Sequence, residues 1–330
     1  MSKTFVAPRG TSIASRIVCG EQPGQTECVL REPFVGPAGK LLKACLSHAQ
    51  IPPASCYFTH VLKDCDSPLE SYCVPPRSRR ASPSWTGRGQ EYVELLREEI
   101  NSHPAKQIIA VGNVALAALT GRWGISKWRG SLIPCLFNEE KYVIPIIHPA
   151  SVLRGSSENK HLIVCDLKKA VMYEQNDYRL KERHVLTKPS FIDAMNFLQI
   201  CYDKGMEGIP ISFDIEIKHL ELNCFSLSYN DTLAISIPLM GPEGDYFSPD
   251  QETAIIKSLA RLLSNPSIRK VGQNIIFDTH FMLRKYGIRS INLDDTMIAQ
   301  HTLLPQFPKG LDMITSLWTD IPYYKDEGKE

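Results

Sequence analysis

Short apolar runs alternate with stretches of helical spacing through the first half of the chain, and the period changes after about residue 190. SRIVCG (15–20) reads as a strand, and AGKLLKACLSHAQI (38–51) as a helix with apolar residues at helical spacing. CYFTHVLKDC (56–65) is strand-like, EYVELLREEINS (91–102) an amphipathic helix, and QIIAVG (107–112) a buried strand running straight into the helix NVALAALTG. YVIPIIHPASVL (142–153) is a further strand followed by a loop. Residues 67–90, rich in Pro, Ser, Arg and Gly, read as one long loop. Strands separated by helices predict a parallel sheet covered on both faces.

A charged segment, 166–190, carries the chain to a second unit with a different rhythm. ISFDIEI (211–217), CFSLSY (224–229) and LAISIPL (233–239) are three strands joined by short links, as in an antiparallel meander. A helix follows over 248–265, with Ser248 as N-cap and Pro249 in its first turn. RKVGQN (269–274) is a strand, and IIFDTHFMLRKYG (275–287) a helix closed by Gly287. Three antiparallel strands and then alternating helix and strand describe an RNase H-like mixed sheet. The expected organisation is α/β in two domains: 1–175, a linker over 176–190, and 191–330, incomplete at its C-terminus.

Charge narrows the field little. Lys and Arg total 37 against 36 Asp and Glu, so any basic surface must be local. No apolar stretch is long enough for a membrane span, and MSKTFVAPRG lacks the apolar core of a secretory signal. The ten cysteines contain no CxxC pair and read mostly as reduced, buried thiols of a cytoplasmic protein without a membrane partner.

The strand ISFDIEI carries two acids one position apart, so Asp214 and Glu216 point to the same face. Paired carboxylates on an otherwise core-bound strand repel each other unless they hold cations. Mg²⁺ or Mn²⁺ takes oxygen ligands, and two such ions serve phosphodiester hydrolysis. Asp278, on the helix after the next strand, supplies a third acid. Asp295 reads as a helix N-cap, and His280 as a helix-face histidine.

This half resembles the DnaQ-like 3′–5′ proofreading exonucleases, and more closely the exonuclease domain of phage family-A DNA polymerases. Asp214 and Glu216 match the family's DxE; Asn274, Phe277 and Asp278 match its Asn-x-x-Phe-Asp. The resemblance implies a two-metal site on Asp214, Glu216 and Asp278, with Asn274 and Phe277 shaping it or contacting a single-stranded 3′ end. The family's third motif, a Tyr or His followed by Asp, is expected soon after YYKDEGK; the chain stops at Glu330, and Asp326 lies in a loop-like segment. The expectation is therefore weak or absent exonuclease activity from the chain alone, unless a separate family-A polymerase chain works with it.

In the first half, VCGEQPGQTE (18–27) and IIHPASVLRG (146–155) sit at strand ends, where α/β sheets bind ligands. GEQPGQTE, PFVGPAGKLLKACL, YFTHVLKD, IIAVGNVALAAL and HPASVLR in this order resemble the family-4 uracil-DNA glycosylases, which implies a three-layer α/β/α domain. Such enzymes flip a base into a pocket and stack it on an aromatic. The resemblance implies that Glu21 and Gly24 belong to a water-activating motif, Phe34, exposed in its loop, to the stacking position, and His148 to the second motif, with Arg154 nearby. His60 stands where the family reads uracil with Asn. APRGTSIAS replaces the two N-terminal cysteines of the family's iron–sulfur site, Cys65 lies near the third position, and Tyr92 near the fourth; no cluster is expected. Arg77, Arg79, Arg80 and Arg88 are candidate phosphate contacts, and Trp85 a candidate base stacker. The combined expectation is a DNA-processing protein of phage replication or repair, acting in the host cytoplasm. Its alternatives are a non-catalytic DNA-binding subunit, or an active glycosylase with a degenerate exonuclease.

Overall fold

The computed structural model describes residues 5–77, 82–241 and 244–324. Arg79, Arg80 and Asp326 lie outside them. Contacts divide the chain into an N-terminal unit, Met1–Leu180 with Asp312–Glu330, and a C-terminal unit, Lys181–Leu311.

The N-terminal unit is built on β1 (Arg16–Gly20), β2 (Cys56–His60), β3 (Gln107–Val111), β4 (Ile133–Cys135) and β5 (Asn138–Ile146). The order is β2-β1-β3-β5-β4, parallel except that β4 runs antiparallel to β5. β4 is an edge strand of three residues, one of them Pro134, and so leaves no period in the sequence. Up to Leu180 its α-helices of six or more residues, among the described residues, are α1 (Gln25–Leu30), α2 (Pro37–His48), α3 (Gly87–Ser102), α4 (Asn113–Thr120) and α5 (Asn159–Gln175). On one face Ile17, Cys19, Ile108 and Ala110 pack with Leu96 and Ile100 of α3 and Val114 of α4. On the other, Ile144 packs with Ala170 and Tyr173 of α5. The result is three layers, as the alternation of strand and helix predicts.

Three expectations change here. Helix α3 starts at Gly87 instead of 91, because Thr86 caps it by accepting from the Gly89 N–H. The first part of the charged segment, from Asp166 to Gln175, continues α5, and its charges include a buried face: Asp166 is fully buried against Arg129, and Lys169 is buried too. Cys65 is not a free thiol. It forms a disulfide with Cys28, which lies in the helix after β1, with Cα atoms 6.5 Å apart; β1 and the strand leading to Cys65 are adjacent and parallel.

The C-terminal unit holds β6 (His184–Leu186), β7 (Ile211–Lys218), β8 (Glu221–Ser228), β9 (Leu233–Pro238), β10 (Lys270–Gly272) and β11 (Leu293–Asp295) in the order β11-β10-β7-β8-β9-β6. β7, β8 and β9 form the expected meander, while β10, β11 and β6 each join a neighbour in parallel. β6 lies inside the segment expected as a linker; all three of its residues are exposed, so no hydrophobic pattern marks it. Helices α6 (Phe191–Met206), α7 (Pro249–Leu263), α8 (Ile275–Tyr286) and α9 (Thr296–Leu303) belong to this unit, whereas α10 (Leu311–Trp318), all but its first residue, belongs to the N-terminal unit. Ser248 caps α7 by accepting from Gln251 N–H, and Gly287 ends α8 at φ 68°, both as the sequence predicts. Phe213 and Ile215 of β7 pack with Phe225 and Leu227 of β8, Leu198 of α6 and Leu259 of α7. The strand period then forces Asp214 and Glu216 onto the opposite face. No helix among the described residues is long and apolar enough to cross a membrane.

Candidate active sites

In the C-terminal unit, Asp214 and Glu216 face solvent while their neighbours Phe213 and Ile215 are core. β10 pairs with β7 only at Ile211 and Ser212, so the strand edge beyond is open to side chains. Asp278, in the first turn of α8, reaches that edge, and its Oδ1 accepts from the Ile215 N–H at 3.0 Å. The third acid thus sits against the backbone between the other two. Burial pushes the buried Asp278 carboxyl up to about 6, and Asp214 and Glu216 add to this against the lowering pull of the Ile215 N–H. Asp214 is also held above the ordinary carboxylate range, by burial first and then by Glu216. A register shift opposite Ile217 and Glu216, between Leu222 and Cys224, marks a bulge beside the acids.

Asn274 starts α8 in the left-handed conformation, φ 57°. Its N–H donates to Asp295 Oδ1 at 3.0 Å, the Ile275 N–H donates to Oδ2 at 3.1 Å, and the Met297 N–H to Oδ1 at 2.8 Å. Asp295 therefore caps α9, as expected, and also pins the start of α8, a second role that only the pairing of β10 with β11 creates. Phe277 is exposed and shares a groove with Leu220, His280, Phe281, Arg284 and Lys285. Sequence reasoning passes over Leu220. It is 84% exposed at the β7–β8 turn, where His219 and Leu220 both have positive φ, 52° and 65°. A two-residue turn of this type favours Asn-Gly, so an apolar residue there is the signal that was open to reading.

Three carboxylates are hard oxygen donors of the kind Mg²⁺ or Mn²⁺ takes, and Asp214 and Asp278 hold protons more tightly than free carboxyls, through burial first and then through the neighbouring acids. The donor set fits such ions. Among the described residues, however, no three His, Cys, Asp or Glu side chains are grouped closely enough to hold one.

In the N-terminal unit the candidate residues gather at the C-terminal ends of β1, β2 and β5. Glu21 Oε1 accepts from the Val114 N–H at 3.0 Å, at the start of α4. Gly112 makes room for this: a Cβ there would lie 2.4 Å from Glu21 Oε1. Glu27, which the sequence did not single out, is buried and its Oε2 accepts from the Gly24 N–H, holding the turn after β1. His148 Nδ1 accepts from the Ala150 N–H at 3.1 Å, so the neutral ring carries its proton on Nε2. Burial holds the His148 pKa below its ordinary value; Glu21 and Glu27 oppose this and Arg154 assists it. Phe34 is 4% exposed, which corrects the expectation of an exposed aromatic. Its ring lies between Phe58, centroids 5.4 Å apart, and His60, 4.6 Å apart.

Arg88 is also corrected: it pairs at 2.7 Å with the fully buried Asp64, which accepts from Tyr72 and Tyr92 as well, so it ties the 64–92 region together. Trp85 is half-buried and packs against the core. Arg77 and Arg154 are exposed.

His60 gives a pH-dependent expectation. Burial, then Lys63 and His148, push its pKa from 6.5 down to about 3. The unfolded chain therefore takes up a proton first on acidification. Stability from the neutral ring is complete above 6.5 and is lost as pH falls toward about 3, and His148 acts with the same sign. His60→Asn should flatten the melting temperature of the N-terminal unit across that window; a profile identical to wild type would contradict a buried neutral ring.

Comparisons with known proteins also divide the chain near residue 180, but assign residues 312–328 to the C-terminal match, whereas contacts group them with the N-terminal unit. Residues 8–168 match the family model of the uracil DNA glycosylase superfamily, and residues 189–328 that of a 3′–5′ exonuclease. A type-4 uracil-DNA glycosylase of Thermotoga maritima is 32% identical over 174 residues, covering 52% of this chain and 83% of that protein. Another, of Archaeoglobus fulgidus, is 30% identical over 155 residues, covering 45% and 72%. A DNA polymerase of Bacillus phage SP01 is 30% identical over 151 residues, covering 44% of this chain and 14% of that polymerase. Among solved structures, the catalytic core of RRP6 from Trypanosoma brucei aligns with a TM-score of 0.34 and 16% identity, over 42% of this chain and 36% of that one.

Proposed function

Because the chain belongs to the uracil-DNA glycosylase superfamily through its N-terminal half and carries a 3′–5′ exonuclease domain in its C-terminal half, we propose that it processes DNA from 3′ ends by metal-dependent phosphodiester hydrolysis. The observation that carries this reading is Asp278, hydrogen-bonded to the strand backbone between Asp214 and Glu216. These three residues would supply the ligands to Mg²⁺ or Mn²⁺, and the ion would serve the hydrolysis by activating a water and stabilising the leaving oxygen. Asn274, held by Asp295, shapes the site, and Phe277 with Leu220 offers apolar surface to the terminal bases. Arg284 and Lys285 on the same groove suit the phosphates.

The phage polymerase relative supports a proofreading role beside a family-A polymerase part, on the same chain or a separate one, during phage replication in the host cytoplasm. The glycosylase-like unit holds the DNA. Glu21, His148, Phe34 and His60 at one sheet end support a base-binding pocket there.

The test is incubation of the full chain with 3′-end-labelled single-stranded DNA. Slow loss of terminal nucleotides in Mn²⁺, stopped by EDTA, is the expected result. Intact DNA at every protein concentration would leave only the DNA-holding role.

A further inference from the structure

Phe34 is the one aromatic the base-binding reading needs, and its face is already covered. The His60 ring lies parallel to it, centroids 4.6 Å apart and planes 11° apart, the geometry in which an aromatic heterocycle stacks on phenylalanine. Phe58 approaches Phe34 with a tilt of 53°. Phe34 and His60 are 4% and 5% exposed, so solvent hardly reaches either ring.

The arrangement is built rather than incidental. His60 ends β2 directly beside Gly20, which ends β1. A Cβ on Gly20 would lie 2.6 Å from His60 Cδ2 and 2.8 Å from Phe34 Cζ, so the ring pair packs edge-on against a glycine that leaves space for nothing else. The Phe34 backbone, at φ 56°, is clamped in turn: a Cβ on Gly39 would lie 2.3 Å from its carbonyl oxygen. His60 ends its strand at the same end of the sheet as Glu21 and His148.

We propose that His60 is the specificity-determining residue of the N-terminal unit: its imidazole takes the place of a nucleobase on Phe34 and closes the pocket to pyrimidines. This rests on the reading of that pocket as a base site. An entering base must displace the histidine, losing the stack and breaking the packing on Gly20. The unit then holds DNA without extracting a base, while a smaller side chain at position 60 opens a slot of about the right shape for a flat ring.

The experiment uses the full chain and free uracil as probe, with saturation-transfer NMR and thermal shift as readouts on wild type, His60→Ala, His60→Asn and the double variant His60→Ala/Phe34→Ala. Each variant is first shown to melt cooperatively; His60→Asn, close in volume, serves if the alanine variant does not fold. Wild type should show no saturable uracil binding at millimolar concentration. The opened variant should bind at least tenfold more tightly, and the Phe34→Ala change should remove that gain. Uracil binding by wild type equal to that of the opened variant, or alkali-labile sites made by wild type in uracil-containing DNA, would overturn the proposal. So would a folded His60→Ala and His60→Asn that both ignore uracil. If the opened variant binds uracil and keeps it after Phe34→Ala, the base-site reading at Phe34 fails instead, and with it the assignment of this aromatic.

Discussion

Asp278→Asn should eliminate Mn²⁺-dependent loss of 3′ nucleotides while leaving the C-terminal unit folded. An asparagine Oδ1 can still accept from the Ile215 N–H, as the Asp278 Oδ1 does at 3.0 Å, so the start of α8 and the course of β7 are preserved. What disappears is the charge. Outer partners of metal ligands already cost roughly ten- to a hundredfold in affinity or activity when removed, so a ligand itself should cost about a hundredfold or more. Asp214→Ala should behave alike. Calorimetric titration with Mn²⁺ separates the cause: binding seen in wild type should be lost in both variants. Without metal the asparagine variant should melt no lower than wild type at pH 7, because the folded state resists ionising Asp278, whose pKa is pushed up to about 6. Wild-type nuclease activity in Asp278→Asn would end the assignment of this carboxylate.

Arg129→Ala should destabilise the N-terminal unit by about 3–5 kcal/mol, the range for removing one partner of a buried ion pair. Arg129 Nε donates to Asp166 Oδ2 at 3.0 Å and Nη2 to Oδ1 at 2.7 Å, with both side chains out of contact with water. Gly130, at φ 69°, allows the approach, since a Cβ there would lie 2.6 Å from Asp166 Oδ1. Burial pushes Asp166 up to about 6 even beside the guanidinium, so without Arg129 it would be neutralised or unfold its surroundings. Arg129 Nη1 also donates to Ser316 Oγ at 2.8 Å, so the variant should expose residues 312–324 to protease. Replacing both partners with apolar residues, Arg129→Met with Asp166→Leu, should recover much of the loss, because no lone charge is then left buried. Chemical denaturation measures both effects; a loss under about 1 kcal/mol in Arg129→Ala would show that the pair contributes little.

Much of the site was legible because it obeys short-range rules. The period of two in ISFDIEI places Asp214 and Glu216 on one face without further information, and the structure adds only that the other face is core. Ser248, Asp295 and Gly287 announce helix ends through local hydrogen bonding and backbone preference. By contrast β6 and β4 are three-residue edge strands whose existence depends on a neighbour, so no local pattern could show them. The charges of α5 looked like a solvated connection, because a composition count does not reveal that Asp166 meets Arg129, 37 positions away.

The sequence by itself determined the core strands of both sheets and the order of the motifs, since hydrophobic period and capping are properties of neighbouring residues; the family likeness of each half lay in its motifs. Only the tertiary structure decided what each motif residue touches. Asp278 became a partner of β7 because β10 stops short of it. Asp295 became the clamp on Asn274 because β10 and β11 run side by side. His60 came to lie on Phe34 because β1 ends in a glycine. Contacts between residues far apart in the chain depend on where strands begin and end in space, and no local preference encodes that.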